Sequence, residues 1–392
     1  MFDQTQKKIV FVTGTRADFG KMLPLAKAAH GKGFKVSFFV TGMHMMPEYG
    51  ETRKEVRRHS EFGVFEYVNH RNGDRQDEIF SKTMLAFSDW SHREKPDLVV
   101  VHGDRVESLA CALSCAVNYV PVAHVEGGEV SGTIDEVYRH CNSKLCTAHF
   151  VSSAVAKERL CKLGEYPDII HVIGSPELDI HASQDVPPLE ACKTRYEIPY
   201  DEYGILIFHT VTSEIDTIRA QAEGLLEAVS RSGKPFLCIA SNNDPGSDQI
   251  MAVIRQHEGE NLRVIPSIRF EMFSRLLRNA KIVVGNSSLG VREAPFLGIP
   301  SINIGTRQNN RSTARSITNL SAFDIPEIQA AINGEWSGRY DREPGFGLGN
   351  ASEQFVQVLM KACFWNFRKQ KVFYDHRGEG ETISPHGAMR AA

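Results

Sequence analysis

Apolar runs of strand length alternate with longer stretches of helical period through the first half of the chain. KKIVFVTG reads as strand, FGKMLPLAKAAHGKG as amphipathic helix and FKVSFFVTG as strand. DEIFSKTMLAFSDWSHREK then reads as helix, PDLVVVHGD as strand, VESLACALSCAVN as helix and VPVAHVEGG as strand. IDEVYRHCNSKLC is expected to be helical, followed by strand AHFVSS, helix AVAKERLCKLG and strand IIHVIGSPELD. Strands that are apolar throughout, alternating with helices, predict a parallel sheet covered on both faces.

A polar, proline-rich stretch interrupts this pattern at 181–204 and is the expected linker. The alternation then restarts. GILIFHT, KPFLCIASN, NLRVIPS, KIVVGNSS and PSINIGT read as strands, with helices TIRAQAEGLLEAVSRSG and RFEMFSRLLRNA among the segments between them. The expected fold is therefore α/β: a first unit over 1–180, a second over 205–349, and an interdomain cleft, which is a preferred place for a ligand. Residues 350–377 form a last helical stretch with several aromatics. The tail 378–392 has no apolar period and is expected to be disordered.

Bulk properties narrow the function classes. A chain of 392 residues exceeds one ordinary core, which agrees with two units. Net charge is −3 with no basic block, which argues against a nucleic-acid partner. No segment approaches the roughly 18 apolar residues of a membrane span, and the start MFDQTQKKIVFVTG lacks a signal-peptide pattern. A soluble, cytoplasmic protein is expected. The eight cysteines do not make a disulfide scaffold; Cys111 with Cys115, and Cys141 with Cys146, lack the spacing of common zinc sites. Buried free thiols are the expectation, and no metal spacing is found.

The candidate chemistry sits where apolar runs stop, outside the carboxyl ends of predicted strands. GTRADFGK is neither a GxGxxG fingerprint nor a P-loop, so no nicotinamide cofactor is implied. Arg16 and Lys21 in it have the ordinary alternative of a solvated turn and a surface helix. Asp104 ends PDLVVVHG, Glu126 ends the next strand before a glycine pair, and Asp135 opens the following helix. Neighbouring strands would bring these acids to one cleft, where clustered carboxylates push their pKa values apart and divide acid and base roles. Asp104 and Asp135 have capping and helix-dipole alternatives. Glu126 has no obvious structural job and is the strongest catalytic candidate. In the second half His209 ends GILIF, and SNND (241–244) ends the next strand. Ser287, Ser288 and Glu293 bracket a predicted helix start after KIVVGN, where backbone N–H groups suit a diphosphate and the glutamate suits a ribose diol.

Together GTRADFGK, VTGMHMM, HGDR, HVEGGEVSGTIDEVYRH, IGSPELD, GNSSLGVREAP and GTRQNNR resemble the UDP-N-acetylglucosamine 2-epimerase family over most of the chain. The non-hydrolysing branch usually carries GTRPE and HVEAG. Ala17-Asp18 and Gly127-Gly128 stand here instead, which resembles the hydrolysing branch of sialic-acid synthesis. The resemblance implies a GT-B-type fold of two Rossmann-like domains, with a C-terminal helix crossing back to the first. It implies hydrolysis of UDP-N-acetylglucosamine to N-acetylmannosamine and UDP through a 2-acetamidoglucal, with no metal or nicotinamide cofactor. It places catalytic groups at Asp104, Glu126, Asp135 and His209. Substrate contacts fall at Arg16, Lys21, Ser287, Ser288, Glu293 and Arg307. A nucleotide sugar is the expected small-molecule partner, and a homodimer or homotetramer the expected assembly. Hydrolysis of UDP-2,4-diacetamido-2,4,6-trideoxyglucose is an alternative within the family. A GT-B glycosyltransferase is the alternative from another class, and a non-catalytic nucleotide-sugar sensor a third.

Overall fold

The structure, a computed structural model, describes residues 7–71, 73–131, 134–241, 245–368 and 370–375. The expected disordered tail and Asn242–Asp244 of SNND lie outside those residues. The first half builds a seven-stranded sheet from β1 (Lys8–Thr13), β2 (Lys35–Val40), β3 (Gly63–Glu66), β4 (Leu98–His102), β5 (Val122–Val125), β6 (Ala148–Val151) and β7 (Ile170–Val172). Its order is β3-β2-β1-β4-β5-β6-β7, and every pairing is parallel. The second half builds a six-stranded sheet from β8 (Gly204–Ile207), β9 (Phe236–Ile239), β10 (Leu262–Ile265), β11 (Val283–Gly285), β12 (Ser301–Ile304) and β13 (Ile317–Leu320). Its order, β10-β9-β8-β11-β12-β13, repeats the doubly wound pattern.

The central strands are parallel because both faces are apolar. Every residue of β4 is buried, and Phe11 of β1 registers with Phe38 on one side and Val100 on the other. In each sheet the order reverses between the first and fourth strands of the half, β1/β4 and β8/β11. That reversal leaves a crevice at the strand ends. The GTR loop leaves one crevice edge and HGDR the other; GNSS leaves the corresponding edge of the second sheet.

Several elements differ from the sequence expectation. The edge strands β3 and β13 are unpredicted; each has a neighbour on one side only, and most of their residues are half-buried or exposed. PELD does not continue β7 but starts a helix, Glu177–Ala182. The stretch 181–204 carries a further helix, Leu189–Tyr196, and Cys192, Ile198, Tyr200 and Tyr203 pack with Ile205, Leu237 and Leu277 in the second sheet's core.

The helix Ala351–Leu359 returns to the first domain. Its Phe355 ring stands 6.3 Å from Phe11 and 4.6 Å from Phe150. A 3-10 turn, Ala362–Trp365, follows, and Trp365 stacks on Phe34 at 5.7 Å. The first core is thus made from both ends of the chain.

Candidate active site

The two sheets face one cleft of about 1170 Å³. Arg16, Lys21, Asp104, Glu126, Asp135, His209, Ser287, Ser288, Glu293 and Arg307 all line it. What the sequence does not show is how they pair.

Glu126 follows β5 in the left-handed backbone region, with φ of 62°. This costs a non-glycine residue energy and aims the side chain across the strand ends. The next two positions must be small: a Cβ at Gly127 would lie 2.7 Å from His124 Nδ1, and one at Gly128, whose φ is 76°, would lie 2.3 Å from the Ala156 carbonyl oxygen. The carboxylate is only 4% exposed. Its Oε2 accepts from Lys21 Nζ at 3.1 Å and Arg292 Nη1 at 3.1 Å, and lies 3.0 Å from His102 Nε2. Its Oε1 accepts from Ser175 Oγ and from Arg292 Nη2. Burial alone would raise this carboxyl, but Arg292 and Lys21 outweigh it and hold it well below the usual carboxylate range.

Glu126 therefore does have a structural job. Lys21 and Arg292 also contact Glu177, at 2.6 and 3.1 Å, so two anions and two cations form a closed set between the domains. Glu177 stands at the start of the helix that was expected to be strand, and Arg292 comes from the second domain.

The neighbouring Glu293 is also buried, but its Oε2 has no hydrogen-bond partner among the described residues. Burial, reinforced by Glu177, raises its carboxyl to about 8 against the pull of Lys21 and Arg292. The helix expected to begin at Ser287 is not a long one. Ser287 caps a 3-10 turn, Ser288–Gly290, its hydroxyl accepting from Leu289 N at 3.4 Å, and a four-residue helix Glu293–Phe296 follows. Anion binding there cannot draw on a long helix dipole.

A model described as UDP-N-acetylglucosamine 2-epimerase matches residues 26–360. The chain belongs to the UDP-N-acetylglucosamine 2-epimerase family. It is 40% identical over 374 residues to a Neisseria meningitidis protein named UDP-N-acetylglucosamine 2-epimerase, covering 94% of this chain and 99% of that one. It is 31% identical to the UDP-N,N'-diacetylbacillosamine 2-epimerase (hydrolyzing) of Legionella pneumophila, covering 90% and 95%. Among solved structures, the UDP-GlcNAc 2-epimerase of Neisseria meningitidis bound to UDP-GlcNAc superposes with a TM-score of 0.76 at 20% identity, covering 90% of this chain and 99% of that one. The fold is GT-B-type: two Rossmann-like domains facing across a cleft.

Several arginines face this 2-epimerase-family cleft. Arg292, Arg307 and Arg311 line it, with Arg139 reaching in from the first domain. Burial, then the charges of Arg311, Arg292 and Arg307, lowers the Arg139 pKa well below its ordinary value. Burial and Arg292 bring Arg311 down to about 10. Guanidinium groups stay charged at neutral pH, and Asp248, Glu258 and Glu293 stand on the same second-domain wall. Arg307 Nη1 donates to the Asn286 carbonyl at 3.2 Å. Asn286 also brackets His209: it accepts from His209 N at 2.6 Å and donates to the His209 carbonyl at 2.8 Å. Burial, helped by Arg307, lowers the His209 imidazole to about 3, so it is neutral at pH 7.

The remaining sequence candidates separate. Asp104 accepts from Arg139 Nη2. Asp135 opens the helix Asp135–Leu145, is half-buried, and forms no ion pair among the described residues. Arg16 donates to Ser267 Oγ of the second domain, away from the Glu126 cluster. Ser241 is the residue of SNND that lines the cleft in the described structure. Arg139, Ser175, Glu177, Arg292 and Arg311 were not singled out from sequence, although all five lie inside the motifs quoted above. Among the described residues, no group of three or more His, Cys, Asp or Glu side chains could hold a metal ion, and no helix is long and apolar enough to cross a membrane.

Proposed function

We propose that the chain hydrolyses UDP-N-acetylglucosamine with inversion at C2, giving N-acetylmannosamine and UDP. The observation that carries this reading is the division of one cleft. The second-domain wall offers Arg307, Arg311 and the Ser287–Ser288 turn to a diphosphate, and the first-domain wall sets Asp104, Glu126 and Asp135 opposite. The name of the Legionella relative, which includes "hydrolyzing", supports the hydrolytic branch.

In this reading a carboxylate takes the C2 proton. The C2–H bonding pair becomes the second bond of C1=C2 as the C1–O bond breaks, and UDP leaves with the C1–O pair. Water then adds its oxygen to C1 and gives up a proton to a carboxylate, while C2 is protonated from the opposite face. The arginines stabilise the departing diphosphate. Glu126 stays ionised and orients Lys21, Arg292 and His102. Asp135, free of an ion pair among the described residues, is the better placed of the acids to exchange protons. Neutral His209 serves as a hydrogen-bond partner rather than a cation. Glu293, protonated near neutral pH, donates to a ribose oxygen.

Incubation of UDP-N-acetylglucosamine in D₂O with no acceptor tests this. The expected products are UDP and free N-acetylmannosamine carrying one deuterium at C2, in equal amounts. Product without deuterium at C2, or a UDP-linked sugar that persists at equilibrium, overturns it. A second reading, UDP-N,N'-diacetylbacillosamine as substrate, is favoured by the Legionella relative; relative kcat/KM on the two nucleotide sugars decides between them.

A further inference from the structure

Beyond the 3-10 turn Ala362–Trp365, the chain returns to the first domain once more, and its last described residues end on the helix Asp135–Leu145. Lys371 Nζ stands 2.9 Å from the Ser143 carbonyl, 2.9 Å from that of Lys144 and 2.7 Å from that of Cys146. These oxygens belong to the last turn and cap of the helix, where carbonyls lack helical partners and the dipole is negative. The fourth oxygen around the ammonium is Glu165 Oε2, at 2.5 Å. The Glu165 side chain is fully buried, and also meets Lys144 at 2.7 Å and His149 at 3.1 Å.

The flanking residues hold Lys371 in place. Phe373 covers Gly164 so closely that a Cβ there would lie 2.2 Å from the ring. Tyr374 N donates to the Gly164 carbonyl at 2.9 Å, and the Tyr374 and Tyr166 rings stand 4.9 Å apart.

The other end of the same helix is in the cleft. Asp135 is its first residue, and Arg139, one turn on, donates to Asp104. The helix has 11 residues and so is about 16 Å long. The same carboxyl-terminal turn is tied to the sheet by Asn142 Nδ2, which donates to the Gly103 carbonyl at 3.1 Å, and by Ser143 Oγ, 3.0 Å from His124 Nδ1. Side-chain ties and the Lys371 clamp therefore hold one turn together, and that turn sets the direction in which the opposite end projects.

We propose that Lys371 is a positioning residue: by clamping the carboxyl end of helix Asp135–Leu145, it sets where Asp135 and Arg139 stand in the cleft. The proposal rests on the reading that Asp135 takes part in proton transfer. Lys371 touches no substrate; it acts through the helix.

The test uses the full-length chain with Lys371→Met. The expected result is a loss in kcat of about tenfold, since small misplacements of reacting groups are costly. KM for UDP-N-acetylglucosamine and the affinity for UDP should stay within twofold. Amide exchange should quicken in 134–145 and not in β8–β12. In an Asp135→Asn background the same substitution should cost less than twofold, because the group it positions is already disabled. Phe373→Ala, which removes the ring over Gly164 and under Lys144 but leaves both ammonium groups in place, should act in the same direction more weakly, and keeps the test open if Lys371→Met fails to fold. An unchanged kcat, or an undiminished tenfold loss in the Asp135→Asn background, overturns the proposal. Absence of any turnover by the wild-type chain sinks the proposed reaction alone. The clamp is then judged on exchange, and unchanged exchange in 134–145 overturns it.

Discussion

Glu126 follows a strand of the first domain and Glu293 opens a short helix of the second; they face the same cleft with 4% and 7% of their surfaces exposed. Burial pushes both carboxyls upward. Glu126 nonetheless sits well below the carboxylate range, while Glu293 rises to about 8. The difference is one of geometry. Arg292, adjacent to Glu293 in sequence, turns its guanidinium to Glu126 and Glu177 instead. Glu293 receives only part of that field and feels the repulsion of Glu177 as well. Depth does not decide the charge of a buried acid; direct pairing does. One cleft thus holds a fixed anion and a proton-bearing acid near neutral pH.

The strongest way to break this comparison is Glu126→Gln. It keeps shape but leaves Arg292 and Lys21 sharing one anion. We expect a loss of about 3–5 kcal/mol in stability, the usual cost of half a buried pair, and a fall in kcat of about 10²-fold as Lys21 and Arg292 lose their orientation. Urea unfolding and product assays read both. An unfolding midpoint equal to wild type would mean that the ion set does not hold the domains.

Glu293→Gln probes the opposite member, since glutamine imitates the protonated acid. With a folded pKa near 8 against 4.5 unfolded, the native state holds a proton that the unfolded chain has released between those values. Wild-type stability should therefore fall relative to the variant as pH rises from about 4.5 to about 8, then level off. The full difference is on the order of 3–5 kcal/mol. Parallel curves for the two proteins across that range would show that Glu293 is ionised throughout. Ser175→Ala is the finest test. It removes one hydroxyl that donates to Glu126 and accepts from Arg292. About 1.5–3 kcal/mol should be lost, with no change in the pH profile of stability.

The central strands were legible because they obey one rule over their whole length: IVFVT, LVVV and GILI are apolar on both faces. The edge strands β3 and β13 escape that rule because half their backbone faces no partner. Helix Glu177–Ala182 was hidden by the short apolar run before it. At the site, residue types were readable and partnerships were not. Glu126 and Arg292 are 166 positions apart, and nothing local to either marks the other. The glutamate that looked idle in sequence is the most heavily bonded of the acids. Arg139 and Arg311, which line the cleft, each look like an ordinary polar residue in its own segment.

The return of helix Ala351–Leu359 gives the molecule an order of completion that its sequence order conceals. The first sheet is made first during synthesis, but the face that Phe355 covers, between Phe11 and Phe150, stays open until the last part of the chain arrives. Domains that leave the ribosome early usually close early. Here the domain carrying the acids is the last to be sealed, after the arginine-bearing domain has been threaded through as an insertion. A chain cut short before Phe355 has every strand of both sheets, yet keeps a hydrophobic wound on its first domain.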